Sequence, residues 1–168
     1  HVAQWNLYRL ADALLPLIGK PTAAQAAVDD HFGTAFEARF EQLMCAKLGF
    51  RTALSDDETF IGETFGLLQQ HRPDFTQFFR ALSQLPAAVD REIQAKTDAP
   101  LRDMFVDRTA CDAWLANWRA RLAQTPWDDE ARQTAMRAAN PKYVLRNWLV
   151  EVAIRKARDK DFSEVERL

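Results

Sequence analysis

Glycine is scarce, at five residues in 168, so a fold built on tight hairpin turns or a glycine-rich phosphate cradle has little to draw on. No segment alternates apolar and polar residues between turn signals, which removes the pattern of half-buried strands. The two cysteines, Cys45 and Cys111, are far apart and have no histidine at ligand spacing. A disulfide framework is disfavoured, and two buried, reduced thiols are expected. No apolar run reaches the roughly 18 residues of a membrane span, and no leader pattern is visible. A soluble intracellular chain follows as the expectation, cytoplasmic if the source is bacterial. Charge of one sign is also missing: the net value is -2, so neither nucleic acid nor an anionic membrane is expected as a specific partner. The chain opens on His1 rather than Met, already inside an amphipathic pattern, which points to a piece of a longer protein.

Aromatic and aliphatic residues are plentiful, with 11 Phe, 5 Trp and a hydrophobic share of 48%, enough for a packed core. Their spacing is helical. Trp5, Leu7, Leu10, Leu14 and Leu17 form one stripe over residues 2–17. Thr22 with Gln25 has capping-box spacing ahead of a long helix carrying Val28, Phe32, Phe36, Phe40 and Leu43 up to Gly49. Ser55 with Glu58 repeats that spacing before a helix over residues 56–70, and Asp74 caps the next, which Pro86 closes. Between 87 and 108 the signal weakens: short helices near 89–93 and 101–105 are separated by Pro100, and a hinge is placed within 86–108. Thr109 opens a helix with Trp114, Leu115, Trp118 and Leu122 on one face. Asp128 or Asp129 caps another, ending near Ala139, and Asp161 with Glu164 gives a last capping spacing. The expected fold is all-α: an irregular multi-helix array across residues 1–168.

Candidate chemistry is thin. His1, His31 and His71 do not pair with carboxylates at metal-ligand spacing, and Asp56-Asp57 and Asp128-Asp129 are accounted for by helix starts. No nucleophile motif is present. Basic and aromatic residues mix around Trp114, Trp118, Arg119 and Arg121, and again from Lys142 to Arg158. A nucleic acid strand could use such a mixture, but the two tryptophans share a helix face with leucines, which places them in the core with the arginines reaching outward. No catalytic, cofactor-binding or metal residue is assigned.

The most specific run is Asn140-Pro141-Lys142-Tyr143-Val144-Leu145-Arg146-Asn147-Trp148. Asn140 as N-cap and Pro141 as first helical residue predict a helix from there to about Arg158. On it Val144, Leu145, Trp148, Leu149 and Val152 build a packed face. Arg146 and Asn147 take another sector, suited to tethering a carboxylate, a phosphate or a backbone segment. Asn140, Pro141, Tyr143, Arg146, Asn147 and Trp148 are the structural or interaction candidates.

The run NPKYVLRNWLVEVAIRKARDKDFSEVERL resembles the C-terminal region of the selenoprotein O family, the YdiU-like or uncharacterised protein family 0061 group. WNLYRLADALLPLI and FEARFEQLMCAKLGF resemble earlier parts of the same region, in the same order. The resemblance implies a protein-kinase-like pseudokinase fold that binds ATP inverted and, with Mg or Mn, transfers AMP to protein hydroxyls. It places the family's nucleotide lysine, catalytic aspartate and metal-binding residues upstream of Trp5, so none falls on this sequence. The implied partners are an upstream catalytic core and protein substrates; ATP and metal belong to the parent, with no cofactor in this segment. His1-Val2-Ala3 replaces the family's apolar, Cys-containing lead-in, and no terminal selenocysteine motif is present. Lys160 stands where the family often carries glycine, ahead of Asp161-Phe162. An independent helical interaction module, binding a partner in a groove, is the alternative.

Overall fold

The computed structural model describes residues 2–167; His1 and Leu168 lie outside the described residues. The described residues form helices and no strand: α1 (Val2–Ala13), α2 (Leu15–Ile18), α3 (Pro21–Leu48), α4 (Asp57–His71), α5 (Phe75–Leu82), α6 (Arg91–Arg102), α7 (Arg108–Gln124), α8 (Asp129–Ala139), α9 (Asn147–Arg158) and α10 (Ser163–Arg167). The all-α expectation holds.

The 28 residues of α3 make a rod of about 42 Å. Its C-terminal end, with Met44, Cys45 and Leu48, enters a core shared with α4, α5, α7 and α8. Its N-terminal part carries α1 and α2 as a lateral arm. At the other end of the chain, α9 packs chiefly on α10. The core itself is aromatic: Phe78, Phe79, Trp114 and Trp118 are buried, and Phe78 meets Trp114 at 5.3 Å between ring centroids. The indole N–H of Trp114 donates to Thr64 Oγ1 (3.1 Å) and that of Trp118 to Leu48 O (2.9 Å). Each ring thus buries its area without stranding a donor. The expected core placement of both tryptophans is met.

Several local expectations are corrected. The stripe over residues 2–17 is not covered: Trp5 is 59% exposed and Leu17 85%. Lys20 is the N-cap of α3, with Pro21 inside its first turn, and Thr22 makes no capping bond. A proline already shaped for the first turn sets the start two residues earlier. Ser55 does not cap α4; Asp56 is the N-cap and makes no side-chain cap bond. Pro100 does not separate two helices but lies within α6. The missing N–H and ring clash cost about 3 kcal/mol in a helix interior, and packing outweighs them here. Leu101 is fully buried, and Asp98 takes two hydrogen bonds from Arg119, at 2.8 and 2.7 Å. Nor do Arg119 and Arg121 of α7 reach outward: Arg121 is buried and Arg119 is largely so. Each found a carboxylate on another element.

Gly19, Gly49, Arg72 and Lys160 occupy the left-handed region among the described residues. Lys160 has φ 62 in the turn from α9 to α10, where a glycine would avoid the Cβ penalty. Gly49 has φ 78 and ends α3, with the Phe50 N–H returning to Cys45 O at 2.9 Å. A Cβ at Gly49 would stand 2.5 Å from Met136 Sδ and 3.3 Å from Arg132 Cγ, both side chains fully buried. Gly49→Ala is therefore expected to lower stability by about 2–4 kcal/mol, combining the left-handed strain with overpacking. Urea unfolding of the variant checks it.

Candidate functional site

Asn140 and Pro141 do not start a helix. Asn140 is instead the C-cap of α8, its N–H bonded to Met136 O at 2.9 Å, with φ -118 and ψ 90. A residue before proline is pushed from the helical into the extended region, so Asn140-Pro141 terminates one helix rather than opening another. Residues 141–146 run without helix, and α9 begins at Asn147 with Arg146 as an N-cap that makes no side-chain cap bond.

The Asn140 side chain faces inward and is 1% exposed. Its Oδ1 accepts from Lys47 Nζ (3.0 Å) and its Nδ2 donates to Lys47 O (3.0 Å), while Lys47 Nζ also donates to Ala139 O (3.3 Å). Arg80 Nη1 donates to Asn140 O (3.1 Å) and Arg137 O (3.3 Å). One residue thereby joins the C-terminal ends of α3 and α8, with Arg80 of α5 holding two further carbonyls at the end of α8. Lys47 lies over the rings of Phe75 and Phe79, 5.7 and 5.2 Å from their centroids, and burial lowers its pKa.

Beside this knot is a cleft of about 240 Å³ lined by Lys47, Phe75, Phe79, Asn140, Pro141 and Val144 among others. It is smaller than the roughly 300–1,000 Å³ of a typical ligand pocket. Arg146 Nη2 donates to Asp74 Oδ2 at 3.0 Å, and Asp74 Oδ1 accepts from Gln77 N at 2.9 Å, capping α5 as expected. The Gln77 hydrogen bond, followed by those from Arg146, holds the Asp74 carboxyl below its usual range.

Of the six candidates, Asn140 bonds to Lys47, Pro141 lines the cleft beside it, and Arg146 reaches back to Asp74 at the start of α5. Tyr143, Asn147 and Trp148 face outward; Tyr143 is 81% and Trp148 65% exposed. The predicted packed face of α9 is not buried among the described residues: Val144 and Leu145 precede the helix, Trp148 and Val152 on it are exposed, and only Ala153 is buried. Residues the sequence did not flag as polar anchors are Lys47, Arg80 and the pair Asp57–Arg121. Their partners lie more than fifty residues away, beyond any local pattern.

The contrast between Asn140 and Arg146 is testable. Asn140→Ala leaves the partly buried Lys47 ammonium and carbonyl short of partners and is expected to cost about 1–3 kcal/mol. Arg146→Ala removes an exposed pair worth about 0–1 kcal/mol. Equal losses of stability in the two variants would refute this ranking.

Among the described residues no group of three or more His, Cys, Asp or Glu could hold a metal ion, and no described helix is long and apolar enough to cross a membrane. Both cysteines are buried and free. Burial raises the thiol pKa to about 11 at Cys45 and about 12 at Cys111, which makes them poor nucleophiles. The arrangement can brace and tether.

Comparison with known proteins supplies what the geometry lacks. The family model described as "Protein adenylyltransferase SelO" matches residues 1–168. The chain is 71% identical over 168 residues to a "Protein nucleotidyltransferase YdiU" of Dechloromonas aromatica, covering 100% of this chain and 34% of the relative. It is 47% identical over 179 residues to one of Cupriavidus metallidurans, covering 99% and 32%. A third, from Burkholderia vietnamiensis, is 46% identical over 180 residues, covering 99% and 34%. The chain thus spans about a third of the length of the curated relatives it matches.

Proposed function

The chain belongs to the protein adenylyltransferase SelO family, and on that premise we propose that it is the helical C-terminal part of a longer enzyme. That enzyme transfers AMP from ATP to Ser, Thr or Tyr hydroxyls of proteins: the hydroxyl oxygen bonds to the α-phosphorus and pyrophosphate departs. The observation that carries the reading is a family match over every residue of a chain that spans a third of its relatives. ATP and Mg or Mn are implied for the parent, but the residues here do not fit them. The described residues provide no metal cluster and the sequence no phosphate loop, so no step of the transfer is assigned to this segment.

The segment's own role in this reading is bracing. Asn140 and Pro141 fix the exit from α8, Arg146 ties the following strand-like stretch to α5, and Tyr143, Asn147 and Trp148 meet the catalytic core. The lateral arm fits the same role, since α1, α2 and α3 enclose an apolar groove of about 570 Å³ lined by Leu7, Leu10, Leu14, Ile18, Ala27 and Phe32 among others. Apolar surface of that extent calls for cover. A hinge within 86–108 belongs to the same proposal, with α6 flanked by non-helical stretches at 86–90 and 103–107.

The test uses the full-length protein with ATP labelled at either the α or the γ phosphate. Label from the α position is expected in protein substrates and none from the γ position. Incorporation from γ-labelled ATP would replace adenylyl with phosphoryl transfer. Incorporation from neither would favour the interaction-module reading.

A further inference from the structure

On the outer side of α3, Phe36 and Phe40 stack with ring centroids 6.0 Å apart, yet remain 52% and 39% exposed. With Ile61 of α4 they line a groove of about 400 Å³, whose lining also includes Glu37, Glu41 and Glu58. None of the three carboxylates makes an ion pair or a side-chain hydrogen bond with another described residue. Glu37 and Glu41 stand at i and i+4 of one helix, where like charges repel. Phe40 also stacks on Phe65 of α4 at 5.9 Å, so the groove sets partly exposed ring edges and faces beside neighbouring anions without a cation.

A guanidinium or ammonium on an apolar-flanked segment relieves both. It neutralises the carboxylates, lies against the ring faces by cation–π attraction, and its neighbours cover the phenylalanines. The groove adjoins the apolar surface of the arm, since Phe32 of that surface lies 5.6 Å from Phe36 between centroids. The relatives carry about two-thirds of their length outside the matched region.

We propose that the acid-rimmed phenylalanine groove between α3 and α4 seats a cationic, apolar-spaced segment of the same polypeptide from outside these 168 residues. This rests on the reading of the chain as part of a longer enzyme, and it names where and by what chemistry the parts join. A protein partner or a second copy would need the same cations, and the experiment separates these sources.

The probe is Phe36→p-benzoyl-phenylalanine in the full-length protein, irradiated and mapped by mass spectrometry. The expected product is a crosslink within one polypeptide, to a peptide outside the 168 residues that bears at least two Arg or Lys. Neutralising the rim with Glu37→Gln, Glu41→Gln and Glu58→Gln in that background should lower the yield several-fold. A crosslink to another protein or to a second copy, a captured peptide without cations, an unchanged yield on neutralisation, or no crosslink would each overturn the proposal. α-Phosphate transfer is scored separately on the unsubstituted protein, so failure of the transferase reading leaves the crosslink result interpretable.

Discussion

Arg121→Met is expected to lower stability by about 3–5 kcal/mol, the usual cost of stranding one partner of a buried ion pair. Arg121 Nε and Nη2 donate to Asp57 Oδ1 and Oδ2 at 2.5 and 2.8 Å, and Nη2 also donates to Thr52 O at 2.7 Å. The guanidinium lies 4.4 Å from the Phe50 ring centroid. Asp57 accepts a further hydrogen bond from Leu54 N at 2.8 Å, so removing the cation leaves a fully buried carboxylate. Asp57→Ala should cost a similar amount, and the paired variant Asp57→Ala with Arg121→Met less than the sum of the two. Urea unfolding followed by tryptophan fluorescence measures all three; strict additivity would refute the coupling.

The same pair sets an acid limit. Burial pushes the Asp57 carboxyl up, but hydrogen bonds from Arg121 and Leu54, with the Arg121 charge, outweigh it and hold the pKa below the ordinary aspartate value. A depressed folded pKa means that the contribution is complete above the unfolded value, about 3.9. It is lost as pH falls through the lower folded value. Stability should therefore decline below about pH 4, and Asp57→Ala should flatten that decline.

Helical periodicity was legible wherever an apolar face was long enough to impose it. The face holding Trp114, Leu115, Trp118 and Leu122 enters the core as its spacing predicts, and Asp74 caps α5 because its acceptor is followed at once by free N–H groups. What escaped was set by tertiary partners. Asp57 and Arg121 look like a helix-start acid and a surface base in sequence; only folding places them in contact. Pro100 looks like a boundary, but buried Leu101 and the Asp98–Arg119 pair keep α6 whole. Asn140-Pro141 carries two opposite signals, since asparagine before proline can start a helix or stop one. Lys47, 93 residues earlier on α3, decides for stopping by taking up the asparagine side chain. The exposed stripe of α1 escaped for a different reason: amphipathic spacing says that a face can be buried, not that its cover lies within the same 168 residues.

Trp118→Ala should be the most damaging single change, at about 5 kcal/mol, comparable with the entire stability of a marginal domain. The ring is fully buried, lies parallel to Trp114 at 6.5 Å, and has the Arg132 guanidinium 5.3 Å from its centroid. Truncation opens a cavity beside a buried cation and also strands Leu48 O, the carbonyl its N–H served. Trp118→Phe separates these effects: most of the apolar volume stays while the hydrogen bond goes, for an expected loss of about 1–3 kcal/mol. Because Leu48 is the last residue of α3, both substitutions act where the long helix is fixed to the core. The arm of α1 and α2 is carried by the other end of that helix, so loosening Leu48 frees the arm as well. Proteolysis within residues 14–20, measured at a denaturant concentration that leaves the protein folded, should then rise in the order wild type, Trp118→Phe, Trp118→Ala. Equal cleavage in all three would mean that α3 is held to the core by its other contacts and that the indole serves packing alone.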